Sequence, residues 1–182
     1  MRELILGGGK SGKFRCAESR AKAWLQVPGH HALLVATALP GDDEMRERIS
    51  RHQTQRALHV PALETVETAH NDLPSALRER CSLQRLVIVD RLTLWLTQQL
   101  MPMDKPPPDE SAWQFQLDAL CATVRDAAGP IVPVSNEIGM GVAPVGRDVR
   151  RFLHALGKLH QRMAALCERV TLMVAGIEAK VK

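Results

Sequence analysis

Aromatic side chains are scarce. Phe14, Trp24, Trp95, Trp113, Phe115 and Phe152 are the only six in 182 residues, and tyrosine is absent. Proteins that bind single-stranded nucleic acid stack bases on aromatics within a concentrated basic stripe. Here acidic and basic residues are interleaved and the net charge is only +4, so no nucleic-acid partner is expected. Modest positive charge suits small anions such as nucleotides better. No apolar run approaches the roughly 18 residues of a membrane span. Met1-Arg2-Glu3 passes at once into Leu4-Ile5-Leu6 and three glycines, too short for the core of a secretory signal, so a cytoplasmic protein is expected. Cysteines are few and scattered: Cys16, Cys81, Cys121 and Cys167 form no C-x-x-C and read as free buried thiols in a reducing compartment.

With 45% apolar and 24% charged residues, the chain is neither disordered nor collagen-like. Its length fits one domain, residues 1–182, whose core needs no disulfide or metal staple.

The apolar runs alternate with helical patterns. Strands are expected at Glu3 to Leu6, His31 to Thr37, Arg85 to Asp90, Pro130 to Ser135 and Val170 to Ala175, with a short sixth in the tail. Helices are expected at Lys13 to Leu25, Asp42 to Arg56, Leu92 to Leu100, Trp113 to Ala127 and Arg147 to Arg169. The proline-dense Met101 to Asp109 reads as a surface loop. Strands apolar on both faces between helices predict an α/β fold, a mostly parallel sheet with helices on both sides. In such sheets ligands bind beyond the carboxyl ends of the strands.

Four places at those ends carry chemistry. Gly7-Gly8-Gly9-Lys10-Ser11-Gly12-Lys13-Phe14 has the G-x-x-x-x-G-K spacing of a phosphate-binding loop between strand and helix. Its amides and helix start would cradle a phosphate, and Lys13 would reach the outer phosphates. A plain glycine turn is the alternative. Phe14 stands where a serine or threonine would hold Mg²⁺. Asp90 ends the third strand, where an acidic residue of a phosphate-loop protein helps hold Mg²⁺ and where otherwise an aspartate caps a helix. His52 lies on a charged helix and, taken alone, reads as a solvated histidine. Ser135-Asn136-Glu137-Ile138-Gly139-Met140-Gly141 suits a ligand loop or a simple turn.

Taken together and in order, these blocks resemble the bifunctional adenosylcobinamide kinase/adenosylcobinamide-phosphate guanylyltransferases of cobalamin biosynthesis. LILGGGKSGKF is similar to the family's strand and G-G-x-R-S-G-K-S loop. VATA and DDEMRERISRH are similar to its A-T and D-x-E-M-x-x-R-I-x-x-H, and VIVDRLTLWLTQQL to V-D-x-L-T-x-W-L-T-N. SNEIGMGVAP resembles N-E-V-G-x-G-I-V-P, and the segment from Arg150 to Gly176 resembles R-x-F-R-D-x-x-G-x-x-N-Q-x-L-A. The resemblance implies a P-loop nucleoside-triphosphate hydrolase-like (RecA-like) fold and two reactions. One phosphorylates the aminopropanol hydroxyl of adenosylcobinamide with ATP or GTP. The other moves GMP from GTP to adenosylcobinamide phosphate through a covalent histidine, which the R-I-x-x-H pattern places at His52.

Further implied nucleotide contacts are Gly7, Gly8, Gly9, Lys10, Ser11, Gly12, Lys13 and Phe14 of the loop. Ala36, Thr37 and Ala38 follow the second strand, and Gln53, Thr54, Gln55 and Arg56 follow the histidine. Glu64 matches the W-x-T-x-E motif, with Asp90 at the third strand. Lys13 and His52 would be catalytic, with Lys10 and Arg56 adding positive charge. Mg²⁺ is the implied cofactor and a homotrimer the implied assembly. The departures are Phe14 for the loop serine, Ala57 for the proline of R-P, Val60-Pro61-Ala62-Leu63-Glu64 for W-x-T-x-E and His160 for the asparagine of G-x-x-N-Q. Phe14 leaves open a guanylyltransferase with a weakened or lost kinase step. A nucleotide-binding protein without catalysis is the remaining alternative.

Overall fold

A computed structural model describes residues 1–37, 58–68, 72–102, 106–142 and 144–182. Along the chain run β1 (Glu3–Gly7), α1 (Lys13–Trp24), β2 (His31–Ala36), β3 (Leu63–Glu67), α2 (Leu73–Arg80) and β4 (Arg85–Asp90). There follow α3 (Leu92–Leu100), α4 (Glu110–Asp126), β5 (Ile131–Asn136), α5 (Arg147–Leu166), β6 (Arg169–Val174) and β7 (Ile177–Lys180). The strands form one sheet in the order β3-β2-β4-β5-β1-β6-β7. Every pairing is parallel except β6 with β7. The parallel strands therefore all end at one edge.

Why both faces are covered follows from the period of two in each strand. In β4, Val87 and Val89 join the cluster built with α2, α3, α4 and α5, which contains Trp95, Trp113, Leu117 and Leu159. Leu86 and Ile88 point the other way, into the cluster that Cys16, Ala17 and Ala21 of α1 complete. Alternation between two buried faces is why the sequence shows continuous apolar runs rather than apolar–polar alternation. Each fully buried Leu, Val or Ile in these layers is worth ~1.5–3 kcal/mol over exposure. The expected α/β class is the one observed.

Two elements had no sequence expectation. β3 reads LETVE and leaves Glu64, Thr65 and Glu67 exposed, because it is an edge strand with little to bury. α2 is only eight residues long, started by the Asp72 carboxylate accepting from the Ser75 amide at 3.0 Å and buried along Leu73 and Leu77. The tail forms β7, an exposed antiparallel edge reached through a turn at Ala175 and Gly176 with φ of 52° and 83°. α4 begins three residues before the expected start, because Asp109 caps it by accepting from the Ala112 amide at 2.7 Å. α5 stops at Leu166, three residues short of the expected Arg169, which opens β6. The helix expected at Asp42 to Arg56 lies outside the described residues. All four cysteines are free, and Cys16, Cys121 and Cys167 are buried. Among the described residues no helix is long and apolar enough to cross a membrane.

Candidate functional site

Gly7 closes β1 without room for a side chain. A Cβ there would lie 2.4 Å from Ser11 Oγ and 2.8 Å from the Met173 carbonyl. Gly12 caps α1 with φ +91°, and a Cβ on it would meet Gly176 Cα at 3.1 Å. The Gly176 amide in turn donates to the Ser11 carbonyl at 2.9 Å. The loop is thus held between its own turn and the β6–β7 turn, while Gly8, Gly9 and Lys10 are exposed at its crest. Gly8 and Gly9 have open space where a side chain would stand. Lys13 is buried, and its ammonium donates to the Gly8 carbonyl at 2.8 Å. No acidic residue occupies the first turn of α1, so nothing there opposes the positive end of the helix dipole. Phe14, half-buried, packs on the apolar cluster beneath α1 and presents no oxygen.

Asp90 ends β4 in register with Ala36 of β2 and Val134 of β5. Its carboxylate lies 3.3 Å from Arg91 Nε. Thr37 is buried and clasps this corner. Its amide donates to the Asp90 carbonyl, its hydroxyl donates to the Arg91 carbonyl at 2.8 Å and accepts from the Arg91 amide at 2.9 Å, and its carbonyl accepts from Gln98 at 2.8 Å. Thr37 therefore shapes the Asp90 corner with its own polar groups engaged.

Of the remaining expected residues, Ala36 ends β2. Glu64 is exposed and pairs with Leu33, three residues short of the carboxyl edge. Glu67 pairs with Ala36, itself paired with Asp90, so Glu67 rather than Glu64 stands at that edge. The T-x-E types of the motif recur in Thr65-Val66-Glu67; that repeat, three residues on, was the available signal. Ala38, His52, Gln53, Thr54, Gln55 and Arg56 lie outside the described residues.

β5 lies between β1 and β4, so its tip stands between the phosphate loop and Asp90. Asn136 pairs with Gly7, and the Glu137 amide donates to the Gly7 carbonyl at 3.0 Å. Behind the tip is a buried polar chain. Asn136 N–H donates to Thr93 Oγ1 at 2.8 Å, Thr93 and Ser135 hydroxyls lie 2.9 Å apart, and Ser135 Oγ is 2.8 Å from His160 Nε2. His160 Nδ1 is 3.4 Å from Glu137 Oε2, and Glu137 Oε1 accepts from the Gly139 amide at 2.6 Å. Burial pushes the His160 imidazole pKa down, against the opposing pull of Glu137.

No group of three or more His, Cys, Asp and Glu among the described residues is arranged to hold a metal by itself. Residues near the edge that carry oxygen donors are Asp90, Ser11 and Asn136, and the buried Ser11 Oγ and Asn136 Oδ1 have no hydrogen-bond partner among the described residues. This set fits Mg²⁺, which is commonly held by one or two carboxylates with phosphate oxygens and water.

The chain as a whole is similar to known proteins. Residues 3–181 match a family described as Cobinamide kinase / cobinamide phosphate guanyltransferase. The bifunctional adenosylcobalamin biosynthesis protein CobP of Pseudomonas aeruginosa is 40% identical over 182 residues, covering 100% of this chain and 98% of that protein. The bifunctional adenosylcobalamin biosynthesis proteins CobU of Escherichia coli and Salmonella typhimurium are 32% and 29% identical, each alignment covering 98% of both chains.

Proposed function

We propose two reactions for this chain from one premise: it belongs to the cobinamide kinase / cobinamide phosphate guanyltransferase family. The observation that carries the proposal is the shared edge of the sheet. The glycine loop after β1, the tip of β5 and Asp90 at the end of β4 stand at the carboxyl ends of adjacent parallel strands, which supports reading a triphosphate site beside an acceptor site there.

In the kinase reaction the aminopropanol hydroxyl of adenosylcobinamide attacks the γ-phosphorus of ATP or GTP. The bond from that phosphorus to the β-phosphate oxygen breaks, and the nucleoside diphosphate leaves. The loop amides and Lys13 bear the charge that develops on the phosphate oxygens; Lys13 exchanges its contact with the Gly8 carbonyl for one with phosphate. Asp90 would hold Mg²⁺, which supplies further charge neutralisation when bound, and Glu67 joins the nucleotide contacts at the β3 end.

In the guanylyltransferase reaction an imidazole nitrogen of His52 attacks the α-phosphorus of GTP and pyrophosphate leaves, forming a phosphoramidate. The phosphate of adenosylcobinamide phosphate then displaces the imidazole, giving adenosylcobinamide-GDP. One difficult displacement becomes two easier ones. The protein acts in the cytoplasm as a homotrimer of single-domain subunits.

A second reading rests on Phe14. Its ring packs into the apolar cluster under α1, where a loop hydroxyl would otherwise reach a cation. The kinase step is then slowed while GMP transfer persists.

Incubation with α-labelled GTP tests the proposal. Label stable to alkali and released by acid is expected on the wild-type protein and absent from His52→Ala. Equal labelling of the variant would refute the covalent route. Label transfer from γ-labelled ATP to adenosylcobinamide reports the kinase step separately.

A further inference from the structure

We propose that Glu137 is the proton acceptor for the substrate hydroxyl in phosphoryl transfer, and that His160 is the residue that positions it. The inference rests on the kinase reading above and extends it to a loop that reading leaves without a role.

Three observations converge on Glu137. First, β5 is the strand between β1 and β4, so a residue just past its tip faces the gap between the phosphate loop and Asp90. An alcohol must enter this gap to meet the γ-phosphorus in line. Second, the Glu137 backbone is anchored to that loop, its amide donating to Gly7 and its neighbour Asn136 in register with Gly7. Third, the side chain is held yet reachable. One oxygen accepts from Gly139, the other faces His160, and a fifth of the side chain is exposed.

The hydrogen-bond chain behind Glu137 has a defined sense. A carboxylate only accepts, so the imidazole proton belongs on Nδ1, facing Glu137. The neutral ring then accepts at Nε2 from the Ser135 hydroxyl. Ser135 in turn accepts from Thr93, whose oxygen already takes the Asn136 amide. Burial favours this neutral imidazole. Every donor from the β5 backbone to Glu137 is thereby oriented, with the imidazole N–H directed at the carboxylate.

In the transfer, the substrate O–H bond breaks as its oxygen forms the bond to the γ-phosphorus. The proton passes to Glu137, and the bond to the β-phosphate oxygen breaks, its electron pair leaving with the nucleoside diphosphate. No other reactant is required. The departure at position 160 is accommodated by geometry. Histidine Nδ1 and an asparagine amide both branch from Cγ, so either presents an N–H at the same distance along the side chain. Leucine presents none.

The test is steady-state transfer from γ-labelled ATP to adenosylcobinamide, with thermal unfolding measured in parallel. Glu137→Gln keeps shape and the Gly139 contact but accepts no proton. Its kcat should fall about 100-fold or more while the KM for ATP stays within about twofold. Glu137→Asp, with its carboxylate withdrawn by one methylene, should fall between. His160→Leu should lower kcat about tenfold or more, and His160→Asn should recover most of that loss, with KM for ATP unchanged in both. A Glu137→Gln enzyme within about threefold of wild type overturns the proton-acceptor role. A His160→Asn enzyme no better than His160→Leu overturns the positioning role. Absence of transfer by the wild-type protein would refute the kinase reading and this proposal together; wild-type transfer with an undiminished Glu137→Gln variant would refute this proposal alone.

Discussion

Arg20→Met should destabilise the protein far more than loss of a surface arginine would. Glu3 is wholly buried on β1. Its Oε2 accepts from Arg20 Nε at 2.9 Å, and its Oε1 accepts from Arg20 Nη2 at 3.1 Å and from Thr171 at 2.7 Å. Arg20 also bonds Glu178 of β7 at 2.5 Å, and these partners, Glu3 first, raise its pKa. Removing the guanidinium leaves a carboxylate in the interior with the Thr171 hydroxyl as its remaining hydrogen-bond donor among the described residues, at a cost of about 3–5 kcal/mol. At about 2–4 °C per kcal/mol for a domain of this size, the melting temperature should fall by roughly 6–20 °C. Urea and thermal unfolding of Arg20→Met, Glu3→Leu and the double variant form the assay. Removing both charges should recover most of the loss, because a buried ion pair is worth little more than well-packed apolar groups. Arg20 lies seven residues, about two turns, beyond Lys13 on α1, so the single variant should also weaken GTP binding by loosening the helix that carries the loop. A single-variant loss under about 1 kcal/mol, or a double variant as damaged as the two losses summed, would refute the reasoning.

Lys13→Ala should weaken GTP binding about 10- to 100-fold by calorimetry, the worth of one charge-assisted contact to phosphate; unchanged affinity would mean that the phosphate lies elsewhere. Phe14→Ser should raise the kinase rate and sharpen its Mg²⁺ dependence in a metal titration, and should lower the melting temperature because it removes apolar packing. Acid should destabilise the protein through Asp72 and Glu178, whose pKa values are held below the ordinary carboxylate range by Ser75 and Arg20 respectively. Their contribution is complete above the unfolded-state values and is lost as pH falls through the lowered ones, so Asp72→Asn and Glu178→Gln should each flatten the acid limb of a stability profile. Native Cys16 should resist alkylation at pH 8, since burial pushes its thiol up to about 12, and rapid labelling before unfolding would contradict its burial.

The sheet and the glycine loop were legible in the sequence because each is written locally. Apolar runs such as Leu86–Val89 mark strands buried on both faces, and the glycines and lysine from Gly7 to Lys13 encode a turn between strand and helix within one short segment. Asp90 was legible for the same reason, as an acidic residue closing such a run. β3 and α2 were not, because an exposed edge strand and a two-turn helix have too few buried positions to leave a period. The sequence carried a hint of Glu67 in the T-x-E types of Thr65-Val66-Glu67, but its place came from register, because pairing with Ala36 brings it to the carboxyl edge. The Glu3–Arg20–Glu178 group joins residues up to 175 positions apart in the chain, and the chain from Thr93 through Ser135 and His160 to Glu137 joins α3, β5 and α5. No spacing rule predicts such groupings. A polar side chain is driven to a partner by the cost of burying it alone, and which partner it meets is set by the packing of the whole fold.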